Sequence, residues 1–229
     1  QRFLTRRYRP IFARELDLGE PLAPRIGNLV KVVTGIRRCG KSYRLLQEID
    51  RLLASGVARR SICYFDFDDD RLKPITPKTG DAVLETFYTL NPAALTDGAY
   101  FFFDELQEMS DWSTWLRRIV STRKATIYVS GSSSKMLSRE IATEFRGRAL
   151  DFELLPFSFR EYVATHHIDF EHGGSYSTEE RLLLERACDT YLQEGGFPAT
   201  FDLPQSQTIA CCSRTRSVWL PAMLLSVTT

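Results

Sequence analysis

No pair of cysteines in this chain has C-x-x-C spacing. The five that occur, Cys39, Cys63, Cys188, Cys211 and Cys212, are odd in number and scattered. That pattern excludes a complete disulfide framework, argues against a zinc site and fits a reducing compartment, so a cytoplasmic setting is expected. No apolar run is long enough to span a bilayer, and the chain opens on Gln1 among charges rather than on a signal peptide, so no membrane partner is expected. The absence of an initiating Met leads to the expectation of a trimmed or incomplete start. An excess of one charge sign is missing as well. The 30 Lys+Arg and 29 Asp+Glu leave a formal +1, with no global footprint for nucleic acid or an acidic lipid surface. The best local basic run, Arg2, Arg6, Arg7 and Arg9 interleaved with Phe3 and Tyr8, is the place where DNA contact would be sought, although such runs are more often solvated arms. Histidine is scarce too: His166, His167 and His172 lie in a polar, glycine-containing stretch without matching ligands and are expected to be loop residues. No internal repeat is visible.

What the chain does contain is a strand that runs into a glycine-rich loop and then a helix. Leu29-Val30-Lys31-Val32-Val33-Thr34 is followed by Gly35-Ile36-Arg37-Arg38-Cys39-Gly40-Lys41-Ser42, which is G-x-x-x-x-G-K-S, and then by Tyr43-Arg44-Leu45-Leu46-Gln47-Glu48-Ile49 at helical spacing. This is the P-loop, or Walker A, pattern in its proper context. Its glycines let the backbone close around a phosphate, and its N–H groups and the helix N-terminus attract anionic oxygens. Lys41 supplies a point charge to the β/γ-phosphates and Ser42 a ligand to Mg²⁺. Gly35 to Tyr43 is therefore the expected nucleotide-binding segment. Arg37 and Arg38 lie within the loop, and at least one of them must point away from the phosphates.

Short apolar runs alternate with helical patterns over the first two thirds of the chain, the mark of βαβ units and a parallel α/β sheet. The pattern predicts strands near 29–34, 61–67, 99–103, 125–130 and 149–154, and helices over 41–54, 81–89, 111–120 and 135–144. After Pro156 it changes. Ser158 with Glu161 three residues on forms a capping box for a helix, and a further helix fills 178–193, opened by Thr178 and closed by Gly195-Gly196. The division expected is an N-terminal arm at 1–24, a P-loop ATPase domain at 25–156, a helical lid or start of a second domain at 157–206, and an aberrant or disordered tail at 207–229.

Hydrolysis needs a second cluster that positions metal and water. Tyr100-Phe101-Phe102-Phe103 reads as a strand buried on both faces, and Asp104 and Glu105 close it at the C-terminal edge, where ligands bind in open α/β sheets. Asp104 is the expected Mg²⁺ ligand, and Glu105 the group that polarises the attacking water. Thr126 to Ser134 is a further strand ending in a serine-rich turn, so Ser130 or Ser132 is expected to sense the γ-phosphate or the lytic water, with N-capping of the next helix as the competing role. Arg146 and Arg148 precede the last strand. Either is a candidate arginine finger, in cis or from a neighbouring copy; a solvated turn is the competing role, and it competes more strongly for Arg146 than for Arg148.

These elements in this order, Thr34 to Ser42, Phe103 to Gln107 with Asp111-Trp112, Ser130 to Ser133, Arg146 to Arg148, Leu155 to Glu161 and Gly195 to Pro198, resemble the prokaryotic predicted AAA+ superfamily ATPases over about residues 25–200. The resemblance implies an AAA+ type P-loop NTPase fold, a five-stranded parallel sheet between helices with a short helical lid, and binding of ATP with Mg²⁺. Glu105, Ser132 and Arg148 are the expected catalytic residues. Members of that family continue into a winged-helix region and a C-terminal domain of unknown function. This chain stops soon after Gly195-Gly196-Phe197-Pro198, so those parts are expected to be missing or only begun. From about Gln207 the run through Cys211, Cys212, Trp219 and Pro221 has no period that continues what precedes it, and a frameshifted end is the expectation. Two functions follow. The first is an ATPase. The second is a nucleotide-dependent switch whose output is DNA or protein binding rather than turnover, and a second copy of the chain is a further candidate partner.

Overall fold

A computed structural model describes residues 12–132, 147–168 and 176–197. The strands β1 (Val30–Gly35), β2 (Ile62–Asp66), β3 (Ala99–Asp104), β4 (Ala125–Ser132) and β5 (Ala149–Leu154) form one five-stranded sheet in the order β2-β3-β4-β1-β5, and every pairing is parallel. The helices are α1 (Lys41–Ala54), α2 (Pro77–Leu90), the short α3 (Ala94–Asp97), α4 (Trp112–Thr122), α5 (Phe159–Thr165) and α6 (Thr178–Glu194). The chain divides into two compact units, through Leu154 and from Leu155.

Both faces of the sheet in the first unit are covered, because successive strand side chains point to opposite sides. On β3, Phe101 and Phe103 join a core that takes in Phe87, Leu116, Trp115 and Ile119 from α2 and α4, whereas Phe102 joins Leu45, Ile49 and Leu52 of α1 on the other face. Phe102 stacks on Tyr128 of β4 with centroids 4.6 Å apart. A strand buried on both sides needs such a continuous apolar run, and four aromatic residues provide it.

Three elements differ from the pattern reading. Helix α2 begins at Pro77, four residues before the predicted start, since proline suits the first helical position and Thr79 Oγ1 accepts from the Thr76 N–H at 3.3 Å. The short α3 follows Asn91-Pro92, where only a turn was expected. Residues 12–24 do not stand off as an arm. Leu18 is fully buried against α1, and the carbonyls of Leu16, Gly19 and Glu20 accept from Arg44 (2.9 Å), Arg51 (2.9 Å) and Lys31 (2.7 Å). The helix expected at 135–144 and the tail from 207 lie outside the described residues, as do Arg146, His172 and the basic run at residues 2–9.

In the second unit both helices open with a capping box. Ser158 Oγ accepts from the Glu161 N–H at 3.1 Å while Glu161 Oε2 accepts from the Ser158 N–H at 2.8 Å. For α6 the cap is Ser177, paired with Glu180, one residue ahead of the predicted Thr178. The Phe157 N–H donates to Gly196 O at 2.7 Å, and a Cβ at Gly196 would stand 2.2 Å from Phe157 O, so only glycine fits there. His166 closes α5, its Nδ1 2.8 Å from Tyr162 O.

Candidate nucleotide site

Because all five strands are parallel, their C-terminal ends share one edge, and the chemistry collects there. Gly35 ends β1 in register with Ser132 of β4 on one side and Leu154 of β5 on the other. A Cβ at Gly35 would lie 2.4 Å from Leu154 O and 2.9 Å from Cys39 Sγ, so the loop leaves the sheet through a gap that only glycine passes. Gly40 is left-handed (φ 99°) and caps α1. Lys41 and Ser42 thus form the first turn of a 14-residue helix whose N-terminal N–H groups face the loop.

Lys41 is nearly inaccessible, 4 % exposed. Its Nζ donates to Ile36 O at 3.2 Å and lies 3.5 Å from Glu105 Oε1. The loop is further pinned by Arg14, whose Nη1 donates to Cys39 O at 2.7 Å. Cys39 is buried, and burial pushes its thiol above the ordinary range despite the opposing charges of Lys41 and Arg14, so it packs rather than reacts. Arg37 and Arg38 are both exposed, Arg38 in the left-handed region (φ 68°), and Tyr43 projects outward from α1.

Asp104 is 1 % exposed, and hydroxyl donors hold both of its carboxylate oxygens: Ser130 Oγ on Oδ1 and Tyr64 on Oδ2 at 2.5 Å. A carboxylate has about four lone-pair sites, so two remain for a cation. Glu105 is left-handed (φ 48°, ψ 44°), its N–H donating to Ser130 Oγ at 3.0 Å and its Oε2 accepting from Gln107 Nε2 at 2.5 Å. Beside them, burial pushes the Asp66 carboxyl up; the Asp68 N–H partly offsets this, and the charges of Asp104, Asp68 and Glu105 reinforce it.

Two expectations change here. Ser130 is not disposed as a phosphate sensor. Its one hydroxyl proton goes to Asp104 and its oxygen accepts from Glu105, so it ties the two acids together from β4. Arg148 lies at the opposite end of the sheet from the loop. It precedes the six-residue β5, its carbonyl accepts from the Val30 N–H at 2.9 Å, and its side chain is exposed. Six strand residues separate it from the loop edge by roughly 20 Å, more than an arginine side chain covers, so it is out of reach of its own P-loop. Ser132 stays at the loop edge, beside Gly35.

Tyr64 and Gln107 join the site without a signal of their own in the sequence. Tyr64 lies on β2, whose adjacency to β3 the sequence does not state. Gln107 stands in the sequence only as the end of the Phe103 to Gln107 motif.

The site fits a magnesium nucleotide by donor chemistry: a buried ammonium and a helix N-terminus suit phosphate oxygens, and the Ser42 hydroxyl and Asp104 carboxylate are hard oxygen donors. Among the described residues no group of three or more His, Cys, Asp or Glu could hold a metal by itself. No helix among the described residues is long and apolar enough to cross a membrane.

Comparison with known proteins gives a match to the AAA_14 family model, an AAA domain, over residues 27–163. The chain is 34 % identical over 173 residues to an uncharacterized protein of Methanocaldococcus jannaschii, covering 76 % of this chain and 36 % of that protein. It is 27 % identical over 201 residues to an uncharacterized protein of Haemophilus influenzae, covering 87 % of this chain and 47 % of that one. The chain thus spans less than half the length of either relative. Among solved structures, that of C. elegans PCH-2 aligns with a TM-score of 0.46 and 11 % identity, over 75 % of this chain and 52 % of that one.

Proposed function

The chain belongs to the AAA domain family, and from that premise we propose that it binds ATP with Mg²⁺ and hydrolyses the β–γ phosphoanhydride. The observation that supports this is the 3.5 Å approach of the Lys41 ammonium to Glu105, which sets the proposed phosphate-binding group beside the proposed water-activating one. The loop N–H groups from Ile36 to Ser42 would cradle the phosphates, and Lys41 would exchange its contacts with Ile36 O and Glu105 for the β/γ oxygens. Ser42 and Asp104 would hold Mg²⁺, which when bound neutralises charge on those oxygens. Asp104 is kept in one orientation by Tyr64 and Ser130. Freed from Lys41, Glu105 would take a proton from the attacking water. Ser132, at the strand end beside Gly35, is the better sensor of the two serines, and Arg148 would act on the site of a neighbouring copy. A cytoplasmic setting and a DNA or protein partner belong to the same proposal.

The test pairs Lys41→Ala with Glu105→Gln. The first should abolish tight ATP binding in calorimetry. The second should retain binding while phosphate release falls by about 10²-fold or more, because the amide keeps the shape and loses the basic oxygen. Turnover of Glu105→Gln at the wild-type rate would sink the assignment. A slow wild-type rate that rises with DNA would support the switch as the working output.

A further inference from the structure

Gln107 occupies the middle of a 3-10 turn, Leu106–Glu108, that is fixed on both sides. Leu106 and Met109 are buried, the Glu108 N–H donates to Glu105 O at 3.0 Å, and the Ser110 N–H donates to Ile75 O at 3.1 Å. From this rigid turn Gln107 Nε2 donates to Glu105 Oε2 at 2.5 Å. The other end of the amide is the anomaly: Oε1 is buried and meets no donor among the described residues. Buried amides ordinarily satisfy both ends. Turning this one over would set its oxygen against the Glu105 carboxylate, so the bond to Glu105 itself fixes the orphaned acceptor. Glu105 meanwhile holds a left-handed conformation that non-glycine residues rarely adopt. An unsatisfied acceptor and a strained residue, joined by one hydrogen bond, mark a place built around a missing donor rather than around packing.

Resting on the hydrolytic reading above, we propose that Gln107 is a second catalytic group: once Lys41 leaves Glu105 for the phosphates and space opens around the buried Oε1, that oxygen accepts a hydrogen bond from the attacking water while Glu105 accepts that water's other O–H. The amide keeps Oε1 within about 5 Å of Glu105 Oε2, a span that one water closes with two hydrogen bonds of about 2.8 Å each. In the step itself the water oxygen bonds to the γ-phosphorus and its proton passes to Glu105. The bond from the γ-phosphorus to the β–γ bridging oxygen breaks, and ADP leaves with that electron pair, with inorganic phosphate as the other product. Gln107 exchanges no proton. It fixes the orientation of the water, and its N–H holds the carboxylate beside the same molecule.

The experiment compares Gln107→Met, which keeps length and volume without either polar atom, and Gln107→Asn, which draws the amide back by one methylene. Calorimetric affinity for ATP should stay within about twofold of wild type, and kcat should fall about 10- to 100-fold with KM unchanged in both variants. A second readout uses the nucleotide-free protein: in ¹⁵N spectra the Gln107 side-chain amide should stand apart from exposed glutamines and move when Glu105 is replaced by Ala. Wild-type turnover in Gln107→Asn, or an amide signal indifferent to Glu105→Ala, overturns the proposal while leaving the hydrolytic reading intact. A wild-type chain that binds ATP through Lys41 and releases no phosphate overturns both, and is told apart by that result alone.

Discussion

Ser130→Ala separates two roles that a serine at the end of a core strand can have. If Ser130 holds the acids, its loss is felt before any nucleotide arrives. The substitution removes the hydroxyl donor of a carboxylate that is 1 % exposed and the acceptor of the Glu105 N–H. A hydrogen bond to a charged group contributes about 1.5–3 kcal/mol, and an orphaned buried N–H costs about 1–3 kcal/mol. The two share one atom and do not add fully, so about 3 kcal/mol is expected. With a urea dependence of about 2 kcal/mol per molar, the unfolding midpoint of the nucleotide-free protein should drop by about 1.5 M. Turnover should fall as well, because Tyr64 alone then orients Asp104 and the N–H of the left-handed Glu105 loses its link to β4.

Coupling identifies the partner. Asp104→Asn should shrink the cost of Ser130→Ala by more than about 1 kcal/mol in a double-mutant cycle, since the bond to the carboxylate is already weakened. A phosphate sensor behaves otherwise: the nucleotide-free protein keeps its midpoint, and only turnover is lost. That pattern, or strict additivity with Asp104→Asn, would refute the reasoning.

Gly35→Ala should cost about 1–3 kcal/mol and weaken nucleotide binding, because the new methyl would meet Leu154 O at 2.4 Å and β1 and β5 would have to part; denaturant midpoints and calorimetry check this, and an unchanged midpoint would show that the strands yield freely. Stability should fall above pH 9. Burial pushes the Cys63 thiol from an ordinary 9.0 up to about 12, and burial with the neighbouring Glu48 raises the Tyr128 hydroxyl. Above the ordinary value of each group, 9.0 for Cys63 and 10.0 for Tyr128, the unfolded chain gives up a proton that the folded one keeps, so Cys63 removes up to about 1.4 kcal/mol per pH unit from pH 9 and Tyr128 adds to this only above pH 10. Urea midpoints at pH 8, 9 and 10 test the sign, with Cys63→Ala expected to flatten the slope and a flat wild-type profile counting against it. Arg148→Ala mixed with Lys41→Ala should recover turnover absent from either alone if the arginine serves a neighbouring copy; no recovery assigns it to the exposed surface.

How much of the site the sequence reveals depends on how local each contact is. The loop from Gly35 to Ser42 is readable because its parts are adjacent in the chain and each has a backbone job. The strand ending in Asp104 and Glu105 is readable because four aromatic residues have no place in a solvated segment. Tyr64 is different. Its hydroxyl reaches Asp104 only because β2 pairs with β3 in the register that sets Asp66 beside Asp104, and alternation along β2 says which face Tyr64 takes but not which strand lies next to it. Ser130 shows the same limit from the other side. Its position at a strand end suggests a phosphate, but β4 lies between β3 and β1, and the Ser130 hydroxyl takes the β3 side, where it meets the Asp104 carboxylate. Arg148 is kept from its own loop for a third reason, direction. The sequence places it just before a strand, and in an all-parallel sheet the residue before a strand and the loop after one are at opposite ends. Motif spacing along the chain thus names the candidate groups for phosphate, while strand order and polarity decide which polar neighbours hold them and which arginine lies out of reach of its own loop.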